Sequence, residues 1–343
     1  MKTVKSIATR GFLVMVFTLM AMTAIDMVGN GAVFGTKVVQ AETTLKIPKN
    51  AKKKEAKAAK KLKKFYVISY KWKNGKLVKL HLAGGPKKIN LSAFTSLTDL
   101  KLGGQIVKGS GYFSSNITNL DLSKNKKLKN LFIGEDDYDK DCHLKKINIS
   151  KCKNLRTLKI SGTKKLKKID LSKNSKLKTI ELLDTDNLSN LSLPKSTALK
   201  KLSVQSKKLT KLDLTKYKQL SYLALNYGNL WYDDNRLTSL NLSGLTSLKE
   251  IKIGSTKLEK LDLSGLKSLS KITFEAVDYD DYVGSLTILK QVDLSNCSSL
   301  RLENIKFEGS GDINTTFLYN GLLYKYVEYL EDKWCIDSNT TDK

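Results

Sequence analysis

The chain has 343 residues, with 61 Lys and Arg against 33 Asp and Glu, a formal net charge of +28 and 41% hydrophobic residues. That apolar share is too high for a disordered chain, and a mean hydropathy of −0.30 is too low for a multi-span membrane protein. Arg stands only at positions 10, 156, 236 and 301 and His only at 81 and 143, so bidentate Arg recognition of bases, His-based catalysis and a multi-His metal site all lack material.

Residues 1–41 read as an address. Lys2, Lys5 and Arg10 form a basic stretch, residues 11–25 are an uncharged apolar run, and Val39-Gln40-Ala41 offers a small-residue cleavage site before Glu42. This is the layout of a secretory signal peptide. A membrane anchor is the alternative, but the run falls short of the ~20 residues a spanning helix needs. Cleavage would remove four basic residues and Asp26, leaving 28 − 4 + 1 = +25. The expected location is extracellular, secreted or at the cell surface, with no stable membrane anchor after cleavage. Residues 337–343 are polar and carry no sorting motif.

Residues 42–76 read as a basic N-terminal helix and cap. Asn50 is placed to cap a helix, and Ala58, Leu62 and Phe65 share one face at helical spacing. The other face is nearly solid Lys, and the apolar stripe is expected to cover the open edge of the first repeat coil.

Residues 77–307 are one repeat. An L-x-L triplet preceded by L-x-x recurs every 10 or 11 residues and alternates between two kinds. The first kind is x-D/N-L-S, as in Leu120-Asp121-Leu122-Ser123, Ile169-Asp170-Leu171-Ser172 and Leu261-Asp262-Leu263-Ser264. The second is freer, as in Leu158-Lys159-Ile160 and Ile180-Glu181-Leu182. The period is therefore 21–22 residues with two short strands per coil. Alternate strand residues share a face, so both Leu point inward and the middle residue points outward. Nine first-kind starts, at 89, 120, 147, 169, 191, 212, 240, 261 and 292, predict about nine stacked β-rich coils. The outward Asp and Asn of the first kind form a ladder that offsets part of the Lys charge.

The pattern L-x-x-L-x-L-S-x-N/C-x-x-L resembles the leucine-rich repeat, in the short bacterial form of secreted and surface proteins such as internalin-J-like adhesins. The resemblance covers two thirds of the chain. It departs from the pattern where Tyr217, Leu245 and Leu266 stand in the Asn slot. It implies a repeat solenoid with a ligand- or surface-binding role and no catalysis. Cys152 and Cys297 occupy the slot that Asn125 and Asn174 fill elsewhere, so they read as turn residues; a Cys142–Cys152 bridge is an open alternative.

Residues 308–343 read as a C-terminal cap. Phe317 to Tyr324 has a hairpin signature centred on Asn320-Gly321. Tyr326, Tyr329 and Trp334 come after it, and the aromatic content suits closure of a Leu-lined end, with a carbohydrate platform as the sharper alternative.

Four gaps break the rhythm, at 100→120, 131→147, 223→240 and 272→292. All follow a second-kind strand, so all four insertions are expected on one edge, where insertions often bind ligands. Three of them gather acids and aromatics into a candidate rim: Asp137, Tyr138, Asp139 and Asp141; Trp231, Tyr232, Asp233 and Asp234; Asp278, Tyr279, Asp280, Asp281 and Tyr282. Asp137, Asp139 and Asp141 also have the first three ligand spacings of an EF-hand, although Cys142 replaces the Gly and Asn148 the final Glu, so a weak Ca²⁺ site is the one cofactor considered. Solvated loops whose acids neutralise nearby Lys are the plainer reading.

The expected function is a secreted, monomeric, non-catalytic binding or adhesion module that engages a protein or an anionic glycan, such as a wall polymer or host glycan. A cell-wall component held by charge is the alternative. A carbohydrate-active enzyme on a β-solenoid is a minor one, since it needs two acids fixed in a cleft. Nucleic acid is disfavoured by secretion and by the lack of Arg and of basic residues interleaved with aromatics.

Overall fold

A computed structural model describes residues 45–105, 112–113, 115–134, 142–227, 236–254, 256–275, 289–308, 315–327 and 333–336. All of them belong to one compact unit, 40–343, and the signal-peptide expectation lies outside the described residues.

The repeat forms a solenoid with two strands per coil. One strand of each coil joins an eleven-stranded sheet, the long sheet. It opens with the antiparallel pair Tyr66–Lys73 and Lys76–Ala83, and nine further strands add in parallel, ending at Ile305–Glu308. Register partners repeat one slot from coil to coil: Leu100, Leu131, Leu158, Ile180, Leu202 and Leu223 face one another in turn, and all are fully buried. These columns belong to one core that runs from Leu45 to Phe317. A lone coil has nothing to cover its Leu row, so neighbouring coils supply most of its stability.

The other strand of each coil comes from the D/N-L-S segment. Eight of the nine expected starts are strands, from Asn119–Asp121 to Gln291–Asp293, and the first is a single bridge between Lys88 and Asn119. The middle Asp and Asn are exposed as expected, except the half-buried Asp293, but they do more than offset charge. Asp121 Oδ1 accepts the Ser123 N–H at 3.0 Å, and Asp170, Asp213 and Asp262 repeat the bond with Ser172, Thr215 and Ser264 at 2.8–3.0 Å. The carboxylate thus turns the chain out of the strand.

Three residues after each first-kind strand's inward Leu lies the Asn/Cys slot. Asn125 Nδ2 donates to the Leu91 and Phe94 carbonyls of the preceding coil at 3.0 and 2.9 Å, and Asn174 does the same to Ile149 and Cys152. The Cys152 thiol stands between them and reaches the Leu122 and Asn125 carbonyls. Asn and Cys fill one slot because each is a small donor that adds a second bond to carbonyls already holding an N–H of their own turn. Cys142, Cys152 and Cys297 are buried and take part in no disulfide, so there is no Cys142–Cys152 bridge. Burial pushes the Cys152 thiol up to about 12, which leaves it inert.

The N-terminal cap contains one short helix, Lys53–Lys60, continued by a 3₁₀ turn, Lys61–Lys64. Asn50 does not cap it: the N-cap position is Lys52, which makes no side-chain capping bond. Leu62 and Phe65 are buried as expected, but Ala59 rather than Ala58 is the fully buried alanine, because the helix starts at Lys53. Glu55 is also buried, and its carboxylate accepts the Leu77 N–H at 2.7 Å. That bond ties the helix to the hairpin Tyr66–Lys73/Lys76–Ala83, which was not expected from the sequence. The hairpin turns through Asn74 and Gly75 at φ 49° and 66°. A Cβ at Gly75 would stand 2.0 Å from the Asn50 carbonyl oxygen, so only glycine fits.

The far end closes as expected. Thr316–Tyr319 pairs in parallel with Gln291–Asp293, turns at Asn320-Gly321 and returns as Leu322–Val327, with Lys333–Ile336 as a third strand. Phe317 sits 5.9 and 6.0 Å from Phe274 and Phe307, capping the Leu-lined interior with rings.

Candidate functional site

The two strand ladders are joined along two edges that differ in regularity. In eight of the nine first-kind segments the inward residue is followed by a turn of seven residues before the long sheet begins, 92–98, 123–129, 150–156, 172–178, 194–200, 215–221, 243–249 and 264–270, and in the ninth by the ten residues 295–304. On the opposite edge the return path ranges from six residues (205–210 and 254–259) to sixteen (103–118). The four long returns, 103–118, 134–145, 226–238 and 276–290, are the four insertions expected from the sequence.

Their roots share one edge. Gly103, Gly134 and Asn226 directly follow long-sheet strands and Glu275 ends one. Gly134 is four sheet strands from Asn226, and Asn226 two from Glu275. Neighbouring roots stack closely: Gly134 has φ 92°, and a Cβ there would lie 1.9 Å from the Ser161 carbonyl oxygen. The rim residues themselves, Asp137, Tyr138, Asp139, Asp141, Trp231, Tyr232, Asp233, Asp234, Asp278, Tyr279, Asp280, Asp281 and Tyr282, lie outside the described residues, and so does the Asp137-Asp139-Asp141 calcium arrangement. Among the described residues, no three His, Cys, Asp or Glu side chains are grouped to hold a metal ion. No described helix is long and apolar enough to cross a membrane.

Beside these roots lies the outward face of the long sheet, where stacking gathers residues about 22 positions apart. Glu181 is held between Lys159 at 2.7 Å and Lys201 at 3.2 Å. Burial raises its pKa, but the two ammonium groups outweigh that and the net shift is downward. Lys201 also lies 4.8 Å from the Tyr222 ring centroid, and Lys252 4.4 Å from that of Tyr227. The Tyr227 hydroxyl donates to Glu308, three sheet strands away; burial and that carboxylate raise the phenol's pKa. Lys271 pairs with Glu250 at 3.3 Å. Between these long side chains, Ser203, Ala224 and Thr273 point outward yet are buried. Among the described residues the Thr273 hydroxyl has no hydrogen-bond partner. The face is therefore a charge-balanced surface with two tyrosines over a floor of small residues.

On the insertion edge, Asp184 is half-buried at φ 47° with its N–H donating to Gln205 Oε1 at 3.0 Å. Burial, reinforced by Asp186, pushes its carboxyl up to about 6. Lys207 pairs with Asp186 at 3.4 Å.

The sheet-face group was missed in the sequence because its members occupy the variable middle slots of second-kind strands. The usable signal was the opposite charge of Lys159, Glu181 and Lys201 at successive 22- and 20-residue steps.

No family profile matches the chain, and no curated protein matches it in sequence. Among solved structures it is similar to the functional domain of InlJ from Listeria monocytogenes, which includes a cysteine ladder, at 23% identity and a TM-score of 0.44 over 68% of this chain and 52% of that one. It is also similar to the internalin InlF from Listeria monocytogenes, at 20% identity and a TM-score of 0.34 over 72% of this chain and 90% of that one. The chain thus spans about half the length of the InlJ domain it matches.

Proposed function

We propose that the protein is an extracellular, non-catalytic binding module that engages a protein ligand through the outward face of the long sheet and the insertions rooted beside it. The observation that carries this reading is the outward sheet face itself, where Tyr222 and Tyr227 stand beside Lys201 and Lys252 among the small buried residues Ser203, Ala224 and Thr273. Tyrosines give large, amphipathic contact area of the kind that dominates binding energy at protein interfaces. The test is binding to an array of purified extracellular and cell-surface proteins. Tyr222→Ala with Tyr227→Ala should lower affinity for a captured partner at least about tenfold, whereas Lys267→Gln on the turn edge should leave it unchanged. Equal affinities for both variants would move the site away from the sheet face. A second reading, a wall component retained by charge, is supported by the net charge of +28. Cell-associated protein should then elute as salt rises from ~0.01 M to ~1 M, where the screening length falls from ~30 to ~3 Å; retention at molar salt would argue against it.

A further inference from the structure

Lysine is abundant throughout this chain, but the solenoid concentrates it on one edge. The five consecutive turns 123–129, 150–156, 172–178, 194–200 and 215–221 carry 4, 3, 3, 2 and 2 Lys or Arg, fourteen in all, and no Asp or Glu. The equivalent turn before them, 92–98, carries none, and the two after them, 243–249 and 264–270, carry one each. The same seven slots are filled by Ser, Thr, Gly, Ala, Phe and Leu at those positions, so the fold itself does not require the lysines.

All fourteen cations are exposed, and none forms a salt bridge among the described residues. Because the turns are equal in length, the charges fall into columns. Lys124, Lys151, Lys173, Lys195 and Lys216 each immediately precede the Asn/Cys slot or its equivalent in successive coils. Lys129, Arg156, Lys178 and Lys200 form a second column next to the long sheet. At ~4.8 Å per coil, fourteen charges over five coils amount to roughly one per 2 Å of axis, close to the one per ~1.7 Å at which double-stranded DNA holds a condensed ion atmosphere. The acids of the adjoining short strands, Asp121, Asp170 and Asp213, accept backbone N–H groups, and Asp170 and Asp213 also feel Lys173 and Lys216, which offsets part of the column's charge.

We propose that this basic turn edge is a binding site for a linear anionic polysaccharide lying parallel to the solenoid axis. Columns repeating along the axis match a polymer better than a single small anion, which would use only two or three of the charges. The edge has no exposed aromatic: Tyr217 points inward, with its hydroxyl donating to the Pro194 carbonyl at 2.8 Å. It therefore lacks the stacking platform that single-stranded nucleic acid uses. With Arg156 as its one guanidinium, it offers point charges suited to sulfate, carboxylate or phosphate groups rather than bidentate readout. It also lacks the exposed apolar centre of a protein–protein interface, since the exposed large hydrophobics among the described residues, Tyr66 and Leu322, lie elsewhere. The site is separate from the sheet face, so the two readings can fail independently.

The test uses the full chain with dextran sulfate, neutral dextran and an oligo(dT) strand as probes. Dextran sulfate should bind with log K falling linearly in log salt concentration, and neutral dextran should not bind. Changing Lys124, Lys151, Lys173, Lys195 and Lys216 to Gln should weaken dextran sulfate binding at low salt at least about 100-fold, through the lost counterion release. Changing Lys53, Lys54, Lys57, Lys60 and Lys63 to Gln removes the same charge from the N-terminal cap and should cost less than about threefold. The ladder variant should melt no lower than the parent, because relieving like-charge repulsion favours the folded state. If five changes impair folding, Lys151, Lys173 and Lys195 to Gln should still give an intermediate loss. Equal losses in the ladder and cap variants would reduce the effect to net charge and overturn the site. So would an unaffected ladder variant, or oligo(dT) displacing dextran sulfate at equal charge. Tyr222→Ala and Tyr227→Ala should leave dextran sulfate binding intact.

Discussion

The turn edge and the insertion edge carry the same chain between the same two ladders, yet one is fixed at seven residues over eight coils and the other runs from six to sixteen. The difference lies in how many backbone and inward groups each edge must satisfy. In turn 172–178, Asp170 holds the Ser172 N–H, Asn174 bridges to the preceding coil, the Leu177 N–H donates to Asn174, and Leu177 is buried. One residue more or fewer would misplace all of these against both neighbours. On the insertion edge the recurring fixed points are an inward Leu such as Leu166 or Leu188 and, in several coils, a buried hydroxyl such as Thr185, bonded to the Gln205 carbonyl. The chain can leave and return there without disturbing the stack. A solenoid can thus hold charges in strict columns on one edge while varying loops freely on the other.

The sharpest way to break this contrast is to damage the rigid edge from inside. Leu171 is fully buried at the entrance to turn 172–178. Leu171→Asp should cost more than about 4 kcal/mol and unfold neighbouring coils with its own, because a buried, unpaired carboxylate has no partner and each coil depends on its neighbours. Hydrogen exchange should show lost protection at Leu158 and Leu202, one coil to either side. Protection lost only within residues 168–182 would mean that the coils are less coupled than the stacked columns imply.

Next in size is the Asn slot. Asn174→Ala removes two bonds between coils, while the Ile149 and Cys152 carbonyls keep the Cys152 and Leu155 N–H groups, for a loss of about 1–2 kcal/mol by urea unfolding. Shortening return 276–290 to the seven residues of 183–189 is the counterpart on the other edge and should cost under about 1 kcal/mol, since loop closure depends weakly on length. Similar losses for the two changes would erase the distinction between the edges.

Much of this architecture was legible in the sequence, because inward and outward facing follow from a period of two within a period of 21–22. The Leu columns, the two kinds of strand and the common edge of the insertions all come from spacing alone. Spacing says which way Asp170 points, but not that its oxygen turns back onto the Ser172 N–H. It says nothing of Glu181 lying between Lys159 and Lys201, which depends on register between coils. The N-terminal hairpin was signalled by Asn74-Gly75, the same dipeptide as Asn320-Gly321, but the surrounding lysines made the segment read as more of the basic cap.

The role of Asp170 leads to a smaller effect. A ladder that only offsets charge would make Asp170→Ala silent. Loss of the bond to the Ser172 N–H should instead cost about 0.5–1 kcal/mol. Asp170→Asn, which retains an acceptor oxygen, should recover most of it, and a failure to do so would return the residue to a purely electrostatic role.

The smallest effect belongs to the insertion edge and depends on pH. Burial and Asp186 raise the Asp184 carboxyl to about 6, against ~3.9 in an unfolded chain. Between those values the native protein keeps a proton that the unfolded chain releases. Stability therefore falls as pH rises from about 4 to 6, and the full cost is present above that window. Asn is nearly the same shape, tolerates the left-handed backbone at φ 47° and cannot ionise. Asp184→Asn should therefore raise stability at pH 7 by up to about 1–2 kcal/mol, discounted for partial solvent screening, and give no gain below pH 4. Melting curves at pH 3.5 and pH 7 separate this from a general packing effect, which would shift both equally. A gain confined to neutral pH would show the loosely built edge carrying an unfavourable charge at little total cost, whereas the same half-buried carboxylate in the turn edge would have no room to relax.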